Sequence, residues 1–275
     1  MTQENLTVSK SLKVSKKEIL DDFLLMNISR NISYIGRKEV FMGRAKFGVF
    51  GDGKELPQIA MSKFFRNGDF RSGYYRDQTF MMSINQLTPD QFFAQLYAHT
   101  DIKKDPHSGG RQMNCHFGTR LLNENGDWKT QTDMMNSVSD ISCVSGQMPR
   151  IVGLAYASKL YRNNKNLSDM ENFSINGNEV VFGTIGDAST SEGHFWEAIN
   201  ACGVLQVPLV MSIWDDGYGI SVPSEYHTTR NDLSKALSGF QRSSKKENGY
   251  EIFTVHAWDY INLLKTYQKA EKLAR

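Results

Sequence analysis

Apolar and polar positions alternate along this chain in a pattern that changes as it proceeds. Residues 1–14 ("MTQENLTVSKSLKV") are polar with little to bury and read as a loose tail. From Ser15, "SKKEILDDFLLMNISRNISYIGRKEVFMGR" places Ile19, Phe23, Met26 and Ile28 at roughly helical spacing, and Ser15-x-x-Glu18 has the form of a capping box. An amphipathic helical arm is expected there. "GVFGDGKELP" then reads as a Gly-rich strand or hairpin, and "LTPDQFFAQLYAHT" as a helix with Thr88 as cap and Pro89 at its first position. "MPRIVGLAYASKLYRNN" predicts a further helix whose small residues Gly153, Ala155, Ala157 and Ser158 suit close approach to a neighbour.

After Gly177 the pattern shifts. "NEVVFGTIGD" is a nearly continuous apolar run ending at a glycine, as in a strand buried on both faces of a parallel sheet. Ser189-x-x-Glu192 has the form of a second capping box, and Phe195, Trp196, Ile199, Cys202 and Leu205 form the stripe of the helix it would start. "VPLVMSIW" predicts another buried strand, so Val180–Trp214 reads as one strand–helix–strand crossover. The two strand ends then point the same way and carry Asp187 and Asp216. Ligands of open parallel sheets sit outside the carboxyl ends of the strands, so both acids face one site. Two carboxylates beside a helix start suit magnesium carrying a phosphate ligand, with backbone donors at Ser189–Ser191 for the phosphate oxygens. The competing reading, two acids that merely cap turns, leaves the matched strand ends unexplained.

Composition narrows this picture. The 275 residues are 40% hydrophobic and 23% charged with a net charge of +2, so neither nucleic acid nor an anionic membrane is indicated as a partner. Cys115, Cys143 and Cys202 are odd in number and lie in no paired metal spacing, which fits a reducing compartment. His107, Cys115 and His116 match no common zinc spacing. No stretch approaches the roughly 18 apolar residues of a membrane span, and no signal-peptide core is present; a cytoplasmic location is expected.

Four separated segments carry a family resemblance. Asp187 and Asp216 lie 29 positions apart, in "GDASTSEG" and "DDGYGIS". This spacing resembles the thiamine diphosphate motif of the 2-oxo acid dehydrogenases in its α-subunit form. "GYYRDQTF", "GGRQMNCHFG" and "ISCVSGQMPRIVGLAYASK" are similar to that family's diphosphate-contact, branched-chain signature and aminopyrimidine segments, in the same order. The resemblance runs over roughly residues 71–274. It implies the α part of a branched-chain (2-oxoisovalerate) type dehydrogenase, the decarboxylating first component. The implied fold is α/β, a thiamine diphosphate-binding fold with a parallel sheet and helices on both faces, preceded by a helical arm. The implied division is a tail 1–14, an arm and extended segment 15–70, and a cofactor-binding domain 71–275.

The resemblance also implies roles. Asp187, Asp216 and the Tyr218 carbonyl would hold magnesium, with Gly186 and Ala188 in the same cofactor loop. Tyr75 and Arg76 would hold the diphosphate, and Ser142 and Val144 the aminopyrimidine. Gln112 and His116 fall near the substrate channel without an assigned step, and for His116 a structural role is an equal reading. Departures are present: Asp216 stands where the family usually has asparagine, Trp214 where it often has arginine, and Ala188 where it has glycine. Arg71 or Lys63 is the expected source of compensating charge. The implied activity is oxidative decarboxylation of branched-chain 2-oxo acids with acyl transfer to a lipoyl carrier, using thiamine diphosphate and Mg2+. A β part, fused or separate, would supply the activating glutamate, in an α2β2 or fused-homodimer assembly with a lipoyl acyltransferase. The chain reads as the N-terminal portion of a longer polypeptide. Pyruvate- or acetoin-type dehydrogenases, a non-catalytic magnesium–nucleotide module and a purely structural domain are the alternatives.

Overall fold

A computed structural model describes residues 6–7, 12–167, 170–244 and 246–275. The chain forms two compact units. The first comprises Met1–Phe64, Tyr75–Cys115 and Val255–Lys269, and the second Phe65–Tyr74, His116–Thr254 and Ala270–Arg275. Of the segment read as a tail, 1–5 and 8–11 lie outside the described residues. Strand β1 (Leu6–Thr7) pairs antiparallel with β2 (Lys13–Val14).

In the first unit, α1 (Lys16–Phe41) starts where expected, with Ser15 Oγ accepting from the Glu18 N–H at 3.1 Å. Its buried face is not the one the apolar spacing indicates. Phe23 is 59% exposed, whereas Ser29, Ile32, Ser33, Gly36 and Glu39 are buried. The reason is a polar seam. Gln78, at the head of α3 (Gln78–Ser83), donates to Ser29 O at 3.1 Å and Ser33 Oγ at 3.0 Å, and Ser29 and Thr79 hydroxyls meet at 2.7 Å. Small residues let the helices approach, and the hydrogen bonds satisfy what burial would otherwise leave unpaired. The segment read as a strand or hairpin instead enters α2 (Glu55–Ser62). The Glu55 carboxylate accepts from Gly53 N–H and from Arg30 Nε at 2.6 Å, which satisfies an acid that is 2% exposed and fixes the helix start. Helix α4 (Pro89–Leu96) has the full capping box, Thr88 Oγ1 accepting from Gln91 N–H and Gln91 Oε1 from Thr88 N–H. Thr88→Ala should therefore cost about 1 kcal/mol in urea denaturation, and a cost near zero would show that the cap is redundant with packing.

The second unit is built on a parallel four-stranded sheet of order β4-β3-β5-β6. Its strands are β3 (Phe70–Ser72), β4 (Asn136–Ser137), β5 (Val181–Gly186) and β6 (Leu209–Trp214). All six β5 residues are buried, as expected of a central parallel strand. Strand β6 instead alternates buried and half-buried positions, because it lies at the edge of the sheet. Helices α5 (Met148–Asn163) and α6 (Gly193–Leu205) pack Met148, Ile151, Phe195 and Ile199 onto Val181 and Ile185. The four small residues of α5 divide: Ala155 and Ser158 are buried, while Gly153 meets open space. The expected capping box at Ser189 does not form. Ser189 lies inside a 3-10 turn, Ala188–Ser191, and Glu192 is the N-cap of α6 without a side-chain capping bond. The turn is instead closed by Thr190, whose N–H and Oγ1 both donate to Asp187 O at 3.0 and 2.6 Å.

Two short strands, β7 (Tyr218–Gly219) and β8 (Val222–Pro223), form a hairpin after β6, and α7 (Leu233–Ala236) follows. The last helix is α8 (Tyr260–Ala274). No helix among the described residues is long and apolar enough to cross a membrane.

Candidate functional site

The second unit gathers chemistry at the carboxyl edge of its sheet. Strand β5 and β6 run in register to their last residues, Gly186 opposite Trp214, and the Asp187 N–H continues the ladder to Trp214 O at 3.2 Å. Asp187 and the pair Asp215–Asp216 therefore leave neighbouring strand ends together. The contact is direct further along: a methyl built on Gly219 would lie 2.7 Å from Ala188 Cβ. Gly186 is constrained less tightly, since a methyl there would sit 3.3 Å from the Tyr74 ring.

Asp187 is the electrostatic centre of this edge. It is 3% exposed, and its Oδ2 has no hydrogen-bond partner. Burial pushes its carboxyl above the ordinary carboxylate range, and the charges of Asp216 and Asp215 push the same way. The Ala188 N–H and the nearby His227 offset this only in part. Asp215 and Asp216 are exposed and fold back on their own loop, accepting from Gly217 N–H at 3.1 Å and Tyr218 N–H at 3.2 Å. Gly217 has φ +78°, which its lack of a Cβ permits. The Tyr218 ring is 56% exposed, so only its backbone is fixed here, by the β7–β8 pair.

A buried carboxylate oxygen with no hydrogen-bond partner and two more carboxylates beside it is a donor set whose chemistry suits a hard cation. Among the described residues no group of three His, Cys, Asp or Glu side chains is arranged to hold a metal. A hard cation here would draw the rest of its shell from backbone and ligand oxygens, as magnesium on a phosphate does.

The loop after β4 carries the next predicted residues. Ser142 Oγ and His116 Nε2 lie 2.9 Å apart, and His116 is 2% exposed, while Val144 is 43% exposed. The loop is anchored by Asp140, whose carboxylate takes both guanidinium nitrogens of Arg71 at 3.0 and 3.1 Å and the Phe117 N–H at 3.0 Å. Arg71 and Asp140 side chains are 0% and 1% exposed. Expecting Arg71 as a source of free positive charge is therefore a misreading: Asp140 neutralises it. Lys63, the other expected source, is held by Glu18 and Asp22 at 2.9 Å each in the first unit.

Tyr75, Arg76 and Gln112 belong to the first unit. The Arg76 guanidinium donates to Phe50 O at 2.6 Å and lies 5.9 Å from the Tyr75 ring centroid. Gln112 is exposed and its N–H reaches Ser108 Oγ at 3.3 Å. Three residues of the second unit carry no local signal that marks them: Asp140 as loop anchor, Asp215 beside Asp216, and His227. His227 reaches Asp187 only because the chain returns after β8, with Ser191 Oγ donating to His227 O at 2.8 Å.

The sequence model of the dehydrogenase E1 component family matches residues 24–258. The 2-oxoisovalerate dehydrogenase subunit alpha of Bacillus subtilis (strain 168) is 25% identical over 248 residues, covering 90% of this chain and 66% of its own length. The mitochondrial 2-oxoisovalerate dehydrogenase subunit alpha of Homo sapiens is 24% identical over 249 residues, 90% of this chain and 48% of its own. That of Caenorhabditis elegans is 27% identical over 231 residues, 84% and 46%. The chain thus spans about half to two thirds of the length of these relatives.

Proposed function

Since this chain belongs to the dehydrogenase E1 component family, we propose that it is the α part of a thiamine diphosphate-dependent dehydrogenase acting on branched-chain 2-oxo acids. The observation that carries this reading is the buried, unpartnered Asp187 Oδ2 at the end of β5, next to the end of β6 that carries Asp216. Asp187, Asp216 and the Tyr218 carbonyl would hold magnesium, and the Gly186–Ala188 turn would face the diphosphate. The family resemblance would give Tyr75 and Arg76, in the first unit, the role of diphosphate contacts, and Ser142 and Val144, in the second, that of aminopyrimidine contacts. His116, through its hydrogen bond to Ser142, orients that loop; Gln112 would lie toward the substrate.

When bound, thiamine diphosphate supplies the thiazolium carbon to which a 2-oxo acid adds before it loses carbon dioxide; the protein supplies position and electrostatics. The acyl group would pass to a lipoyl acyltransferase partner, and a β part would complete the site, in an α2β2 or fused dimer. The experiment is a melting curve with and without thiamine diphosphate and Mg2+. Ligand at 100 times its dissociation constant adds about 2.7 kcal/mol, and no shift at saturating concentrations defeats the proposal. Turnover of 3-methyl-2-oxobutanoate against pyruvate, with the β part present, then decides the substrate class.

Asp216 allows a finer check. The site already holds more negative charge than one divalent cation offsets, so Asp216→Asn should bind magnesium thiamine diphosphate at least as tightly as the unsubstituted protein, by isothermal titration calorimetry. A markedly larger Kd would show that the second carboxylate is required and that like-charge repulsion is not the governing effect.

A further inference from the structure

A cavity of about 560 Å3 opens in the second unit beside the Ala188–Ser191 turn. Thr190 and Ser191 form one wall, and His227, Thr228, Arg230 and Lys235 line the rest. The wall is joined to Asp187 itself, because Thr190 closes the turn on Asp187 O. The cavity is thus next to the acidic strand ends and carries the opposite charge.

Its cations are not equivalent. Lys235 is neutralised by Asp232 at 3.0 Å. Arg230 is exposed, stands at φ +66°, ψ 2°, and makes no hydrogen bond or ion pair among the described residues. A non-glycine residue is seldom held in the left-handed region without a local reason. His227 shares a hydrogen bond between Nδ1 and Thr228 Oγ1 at 2.9 Å, which leaves a buried Nε2 without a partner. Charge balance says what these two groups are for. A divalent cation offsets two of the three carboxylates Asp187, Asp215 and Asp216, so a diphosphate beside them calls for more positive charge than the metal brings. Arg71 is spent on Asp140, whereas Arg230 in the cavity wall has no acidic partner among the described residues.

We propose that Arg230 and His227 form the second unit's part of the diphosphate cradle, the Arg230 guanidinium and the His227 ring donating to phosphate oxygens from across the Ala188–Ser191 turn. This rests on the thiamine diphosphate reading above. A guanidinium fork matches phosphate geometry, and the hydroxyls of Thr190 and Ser191 line the same space.

The test is titration calorimetry at low salt on the full-length protein with its β part, using magnesium thiamine diphosphate and, separately, magnesium pyrophosphate. Loss of one charge-assisted hydrogen bond in Arg230→Gln raises both dissociation constants about 10- to 100-fold. Arg230→Lys recovers part of the loss, and His227→Ala gives a smaller rise of the same sign. Arg230 is exposed, so unchanged melting of the unliganded variants is expected and separates binding from folding. A dissociation constant for Arg230→Gln within about twofold of the unsubstituted protein overturns the cradle. So does an effect on thiamine diphosphate that pyrophosphate does not share. Absence of binding by the unsubstituted protein overturns the cofactor reading, and the cradle with it.

Discussion

Asp187→Asn should abolish the magnesium-dependent stabilisation by thiamine diphosphate and, at the same time, make the unliganded protein more stable near neutral pH. The two effects have one cause. A carboxylate that is 3% exposed, with one oxygen unpartnered and two acids nearby, is costly to ionise in the absence of a cation. Its folded-state pKa is raised, so the folded protein holds this proton more tightly than the unfolded chain does. Stability from the protonated form is present below the ordinary carboxylate range and is lost as pH rises from there through the raised value. Asparagine removes that loss, so the gain appears near neutral pH and vanishes in acid. Denaturant midpoints across pH, with and without ligand, decide the matter. Undiminished ligand stabilisation in Asp187→Asn would remove this residue from the site, and a less stable unliganded variant would show that the carboxylate already has its counter-charge.

Asp140→Ala should be the most destabilising single change in the second unit outside its apolar core, at about 3–5 kcal/mol, because it strands a fully buried guanidinium. The aspartate also takes the Phe117 N–H, and Arg71 in turn donates to Ser137 Oγ and Tyr74 O. One substitution thus loosens the ends of β3 and β4 and the loop that carries Ser142. Replacing both partners, Arg71→Met with Asp140→Leu, should recover much of the loss, since matched apolar groups leave no charge unpaired. Urea denaturation of the three variants measures this. A loss below about 1 kcal/mol in Asp140→Ala would mean that water reaches Arg71 when the acid is gone.

The β5–α6–β6 crossover was legible because its signals are local and strong: a continuous apolar run, a helical stripe and a second run. Asp187 and Asp216 could be placed at neighbouring strand ends for the same reason, since parallel strands of equal length bring their following residues together. The buried face of α1 was not legible. Ser29 and Ser33 are small and polar, and what buries them is the amide of Gln78, far along the chain, while Gly36 lies under the Phe50 ring. Hydrophobic spacing cannot register a seam made of hydrogen bonds. Glu55 is a similar case, because an acid becomes a helix start there only when Arg30 is beside it. Arg71 misled in the opposite way: its sequence neighbours suggest an available cation, and its partner Asp140 is fixed by the pairing of β3 with β4. His227 and Arg230 follow the motif in a loop of no regular pattern, and only the chain's return brings them to the Thr190 turn.

The meeting of Gly219 with Ala188 ties two positions of the sequence together. There is room for one methyl group between these turns, and this chain has placed it at 188; a second at 219 would stand 2.7 Å from the first. Alanine at 188 and glycine at 219 are accordingly a single choice made jointly. Homologous chains that have glycine at the first position are free to carry a side chain at the second, and substitutions at these two places should be inherited as a pair.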